Sequence, residues 1–211
     1  LLCDIEGSVP PGVVKACGGD VMFRAEALAQ VVGYRDDLIA GEEPELCVRL
    51  RQAGWRIHRL DAEMTLHDAA MTHFSQWWQR TLRGGHAFAE GAFLHGASPE
   101  RHWRQESRRA WLWGLAIPVA SVVASLLFGW VGLLVLLVYP LQVLRLACRG
   151  HLSSRENWLH AGFLVLGKFP EMFGQFKFHR WALMEARMPS TNSAQAAHCK
   201  AAGHAPSQAK L

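Results

Sequence analysis

Apolar and polar positions divide the chain into stretches of different rhythm. Residues 1–98 mix the two kinds and are punctuated by Gly and Pro, as in an α/β domain. Residues 110–147 are apolar almost without a break. Residues 150–187 are apolar at spacings of mostly three or four, from Trp158 to Trp181, with Lys168, Lys177, His179 and Arg180 between. That spacing marks one face of a helix. Within the first stretch, Ala16–Phe23 reads as a loop leading into a strand. Arg24–Val32 reads as a helix stopped by Gly33, and Pro44–Ala53 as a second helix, with Pro as its first residue and Gly54 after its end. Trp55–Leu60 has the pattern of a short strand, and Phe74–Phe88 that of a basic, aromatic helix.

The middle stretch carries the clearest physical message. Between Ala110 and Ala147 the only charged side chain is Arg145. One bilayer crossing takes roughly 20 apolar residues, and this run is close to twice as long. It is expected to form two transmembrane helices turning at Phe128-Gly129-Trp130. Trp111, Trp113, Trp130 and Tyr139 fall where aromatic rings gather at membrane interfaces. Residues 99–109 form a basic linker with Arg101, Arg104, Arg108 and Arg109, and Arg145, Arg149 and Arg155 follow the second span. Two crossings return both basic flanks to one side, which the positive-inside rule makes cytosolic. The expectation is a multi-pass protein of the cytoplasmic (inner) membrane, its soluble part facing the cytosol. Residues 150–187 then suit an amphipathic helix lying in the interface. Residues 188–211, rich in Ala, Ser, His and Gln, have little to bury and are expected to be disordered.

Net charge is +4. Since the arginines gather at the membrane flanks, this favours lipid over nucleic acid as the partner. Five cysteines in no Cys-x-x-Cys spacing argue against a disulfide framework or a zinc ribbon. The chain opens inside an apolar element, Leu1-Leu2-Cys3, and is expected to be a piece of a longer protein.

Four places could carry chemistry. In Glu42-Glu43-Pro44-Glu45, adjacent carboxylates precede a helix. The free amides and dipole there suit either ordinary capping acids or a general base for a hydroxyl group. Gly18-Gly19-Asp20 is a turn, or a place where backbone approaches a ligand closely. Trp77-Trp78-Gln79-Arg80 with Arg83 could clamp a diphosphate and stack a sugar, or could snorkel at a membrane surface. His67 could ligate a divalent cation, or be an ordinary surface histidine.

Taken in order, Gly18-Gly19-Asp20 with Phe23-Arg24, Gly33-Tyr34, Glu42-Glu43-Pro44-Glu45-Leu46, Arg49-Leu50, Gly54-Trp55, Gln79-Arg80, Arg83-Gly84 and the apolar run resemble the C-terminal half of bacterial family 2 glycosyltransferases. The resemblance spans residues 15–187. It implies part of a GT-A type α/β domain, inverting transfer, and a nucleotide-sugar donor. It also implies a hydroxyl acceptor, lipid-linked or delivered at the membrane. Glu43 would stand at the family's catalytic base beside Glu42, with Glu in place of the usual Asp. Gly18, Gly19 and Asp20 would line the acceptor side. Gln79, Arg80 and Arg83 would approach the donor diphosphate, although Gly84 stands where the family motif has Trp. Trp77 and Trp78 would stack on sugar or lipid, and His67 would be a metal ligand. The resemblance also implies a divalent cation, Mg or Mn, whose main ligands belong to a preceding nucleotide-binding half. The chain alone is therefore expected to be inactive. Two other classes fit the same residues: a non-catalytic membrane anchor or interaction module, and a sensor of anionic lipid.

Overall fold

The computed structural model of the protein describes residues 10–18, 20–62, 71–97, 99–151 and 153–187. Packing divides the chain into two compact units, Leu1–Phe178 and His179–Leu211. In the second, the described residues are 179–187, the last turns of the final helix.

The chain is mainly helical, which corrects the α/β expectation. The only strands among the described residues are β1 (Gly12–Val14) and β2 (Ile57–Arg59). They pair antiparallel, with Val13 opposite His58. A strand needs a neighbour for its N–H and C=O groups. The segment Ala16–Phe23 has none among the described residues and runs as an open loop. Of its described residues, only the last joins a core. Phe23 packs edge-on against Tyr34 and lies against a small core of Ala27, Leu46 and Leu50.

Helix α1 (Ala25–Gln30) and helix α2 (Glu42–Gln52) supply that core. Pro44 is the third residue of α2, a position whose N–H has no partner within the helix, so the ring costs nothing there. After α2, Gly54 takes a left-handed φ of 89° and the Trp55 N–H reaches back to the Leu50 carbonyl, 3.0 Å away. This is the glycine-dependent helix ending expected of Gly54.

Helix α3 (Phe74–His95) runs well past Phe88. Gly84, Gly85 and Gly91 should weaken a helix. Here two of them admit close neighbours. A methyl group on Gly85 would meet the Glu171 backbone, and one on Gly91 would meet Trp103. Helix α4 (Arg104–Trp111) leads through a π-type turn (Leu112–Ala116) into α5 (Ile117–Phe128). A 3₁₀ stretch (Gly129–Leu137) then leads into α6 (Val138–Arg149).

Residues 150–187 form two helices, α7 (Ser154–Leu166) and α8 (Lys168–Arg187), meeting at Gly167. A Ser153–Glu156 capping box starts α7. Helix α8 does not lie on a surface in its first half, where Pro170, Glu171, Met172, Gly174, Gln175 and Phe178 are buried. It crosses α3 at Gly85 and Gly174, and it is tied to α4. There the Ser107 hydroxyl donates to Gln175 Oε1 (2.6 Å) and Gln175 Nε2 donates to the Ser107 carbonyl (3.1 Å).

The stretch Arg104–Arg149 is, among the described residues, the one helical run long and apolar enough to cross a membrane. The chain reverses at Gly129, whose φ of 66° and ψ of −148° suit glycine. The two arms then lie side by side. Ser121 donates to the Gly132 carbonyl (3.2 Å), and Tyr139 donates to the Trp113 carbonyl while its ring stacks on Phe169. Gly132 touches the backbone of Ala124 and Ser125, an approach that any side chain would block.

Candidate functional site

Glu42 and Glu43 occupy the first turn of α2, after Gly41. Gly41 has a φ of 87°, and a methyl group on it would lie 2.6 Å from the Trp103 ring and 3.3 Å from Ala87. The start of α2 is thus held against the second half of α3 by an indole. Glu43 and Cys47 lie one turn apart on the same face of α2. The loop carrying Gly18 and Asp20 is set beside that face by Cys17, whose Sγ lies 3.2 Å from Cys47 Sγ. The Cys17 N–H also points at Cys47 Sγ, 3.4 Å away. Burial, and then the Glu43 charge, push the Tyr34 hydroxyl up, so Tyr34 faces the same corner. Cys17, the residue before Gly18, thus meets α2 one turn beyond Glu43. Both carboxylates and the Cys17 thiol are partly exposed. A carboxylate there can accept a proton from a hydroxyl group brought to the surface.

The third acid of the run, Glu45, is 1% exposed. Arg49 donates to it at 2.8–2.9 Å and His95 Nε2 lies 2.9 Å away. Burial pushes the Glu45 carboxyl up, but these hydrogen bonds outweigh it and hold the group below its usual range. Arg49 also donates to the Val31 carbonyl, so Glu45 ties together α1, α2 and the end of α3. Arg51 pairs with Glu100 at 2.6 Å. Next to that pair, His102 stacks on Trp103 with ring centres 4.3 Å apart. Burial, His95 and Arg51 hold His102 down to about 4. Sequence reasoning quoted Glu45 and Arg49 without giving them a role. Their four-residue spacing was a signal, but nothing local points to His95 or His102.

The other sequence candidates lie elsewhere on α3. Gln79, Arg80 and Arg83 are exposed in its first half. Trp77 and Trp78 are half-buried, and Trp77 meets Phe163 of α7 edge-on at 4.9 Å. Arg80 borders a cavity of about 270 Å³ that Trp77, Phe88, His160, Phe163 and Glu171 help to line. Arg83 lies one helical turn before Ala87, the residue facing Gly41. Gln79, Arg80 and Arg83 thus sit in the first half of α3, whereas Gly41, which begins the turn carrying Glu43, meets the second half of α3 at Ala87.

Gly19 and His67 lie outside the described residues. Among the described residues no group of three or more His, Cys, Asp or Glu side chains could hold a metal ion.

No family model matches the chain, and neither the curated proteins nor the solved structures contain a significant match.

Proposed function

We propose that the chain is the acceptor-side and membrane-bound part of an inverting, family 2 type glycosyltransferase. Donor and cation sites belong to the nucleotide-binding domain that the sequence resemblance implies. In this reading Glu43 takes the proton from an acceptor hydroxyl as that oxygen attacks the anomeric carbon of a nucleotide sugar. Arg80 and Arg83 face the leaving diphosphate. The observation that carries the reading is the Cys17–Cys47 contact, which sets the Gly18 turn against the α2 face that begins with Glu43. An acceptor-lining turn and a catalytic base must be neighbours, and the hydrogen bond from Arg51 to the Lys15 carbonyl holds the same loop against α2. Further support comes from the position of Glu43 in the first turn of α2, where free amides stabilise a carboxylate.

The apolar run fits a membrane hairpin with two crossings. At about 1.5 Å per residue, the arm from Ala110 to Phe128 approaches the roughly 30 Å of a hydrocarbon core. Its return through the 3₁₀ stretch and α6 is longer still. The arginines of α4 and the end of α6 then sit at one face, with the Glu43 corner on the cytosolic side.

The test is Glu43→Gln in a polypeptide that also carries the donor-binding domain. Transfer should fall by about a thousandfold or more while nucleotide-sugar binding persists, as for loss of a general base with its accompanying positioning. Transfer within a few fold of the unaltered protein removes Glu43 from this role. A membrane module without catalysis would show no nucleotide-sugar binding in either protein.

A further inference from the structure

The Cys17–Cys47 contact has a chemistry of its own. The residues are thirty apart in sequence, and Cys17 belongs to an open loop while Cys47 is buried on α2. Their sulfur atoms are 3.2 Å apart, and a disulfide needs about 2 Å. The gap closes by a shift of the loop, which has no ladder hydrogen bonds to break. The hydrogen bond from Cys17 holds the Cys47 thiol down to about 7, against the pull of burial, with Arg51 adding to the effect. The same bond and burial push Cys17 up, so the pair keeps one proton between two sulfurs. Cys17 is half-exposed and gives small oxidants a route to the pair. Cys148, on α6, is exposed but is not part of such a pair.

We propose that Cys17 and Cys47 form a redox-active dithiol, a site for hydrogen peroxide that closes to a disulfide. The thiolate of the pair attacks the outer peroxide oxygen, the O–O bond breaks, and a sulfenic acid forms with release of hydroxide, which takes up a proton. The second sulfur, already in contact, attacks the sulfenic sulfur. The S–S bond forms, the S–OH bond breaks, and water leaves. Two thiols are oxidised and one peroxide is reduced to two waters. A dithiol reductant reverses the step by exchange. The disulfide fixes the Cys17-Gly18 backbone on the α2 face that carries Glu43, and so sets how closely a ligand can approach that carboxylate. The site stands whether or not the chain takes part in sugar transfer.

The experiment treats the detergent-solubilised chain with hydrogen peroxide at pH 7, blocks remaining thiols with N-ethylmaleimide under denaturing conditions, and maps peptides by mass spectrometry. Cys17 and Cys47 should lose label together, appear as one cross-linked peptide pair, and regain label after dithiothreitol. Their loss should be roughly fivefold faster than that of Cys148, reflecting the larger thiolate fraction of the pair. In Cys17→Ser, Cys47 should stop at sulfenic acid, trapped by dimedone, with no cross-link. Repeating the peroxide step on a Cys3, Cys148 and Cys199→Ser triple variant checks that no other cysteine supplies the second sulfur. Cys17 and Cys47 losing label independently, without a cross-linked peptide, overturns the proposal.

Discussion

The apolar hairpin and the helix cluster around α3 are turned inside out relative to each other. In the hairpin, Leu126, Phe128 and Trp130 point outward, and only 11% of its most apolar window is buried. In the cluster, Glu45, His86, Glu90, Glu171 and Gln175 are inside. The hairpin's contacts run through small or hydroxyl-bearing residues, Ser121 against Gly132, the kind of packing that holds helices together where apolar burial gives them no drive to associate. The cluster pairs what it hides. Glu45 has Arg49 and His95, Gln175 has Ser107, and Glu171 has Lys168 at 2.7 Å. His86 and Glu90 are the exception: they face each other at 3.5 Å with His86 Nδ1 and Glu90 Oε2 lacking a hydrogen-bond partner. Burial pushes the Glu90 carboxyl up and the His86 imidazole down, so both stay closer to neutral. The difference teaches that side-chain polarity alone does not say which way a helix faces. The surrounding solvent does.

Removing Glu45 breaks the comparison hardest. Glu45→Ala leaves Arg49 buried without its carboxylate and should cost about 4 kcal/mol, read as a large fall in the melting temperature of the micelle-bound chain. An unchanged melt means the Glu45 cluster does not hold α1, α2 and α3 together. A smaller effect tests the hairpin. Leu134→Arg places a cation on its outward face and should cost about 3 kcal/mol of membrane insertion, measured by glycosylation mapping in microsomes. The same change at Val13, which is as exposed but lies outside the apolar run, should matter by less than about 0.5 kcal/mol. Equal, small effects at both positions would mean that the hairpin is not in lipid. The smallest effect sharpens the cluster. His102 is held neutral in the folded chain down to about 4, whereas an unfolded histidine takes up its proton near 6.5. The unfolded state binds more protons between those values, so stability is complete above about 6.5 and is lost as pH falls toward 4. Melting temperature followed from pH 7 to 4 should decline over that window, and the decline should shrink in His102→Gln. An equal decline in the variant assigns the pH dependence to other groups.

Local features were readable from the sequence. The apolar run, the reversal at Gly129 and the glycine after α2 each depend on a few neighbouring residues. What the sequence hid depends on distance along the chain. His95 reaches Glu45 from fifty residues away, and Cys17 reaches Cys47 from thirty. No periodicity encodes such pairings. The α/β expectation failed for a related reason. Trp55–Leu60 does contain β2, but a strand's partner lies elsewhere in the chain, and the one found is only the three residues of β1. The helix pattern was read only as far as Phe88, and the use of Gly85 in a helix crossing appeared only when α8 was in view. For the candidate site, Glu42 and Glu43 were visible at the start of a helix. The Trp103 indole that pins this start was not.

The bond between Ser107 and Gln175 spans sixty-eight residues, with the whole hairpin lying between. During synthesis at roughly 5–20 residues per second, Ser107 leaves the ribosome roughly 3 to 14 seconds before its partner. For that interval the face of α3 around Gly85 has no α8 to cover it, while the apolar hairpin between the two is being made. The order of assembly is therefore written into the connectivity: the apolar hairpin is made first, and the last helix closes the cluster around α3 behind it.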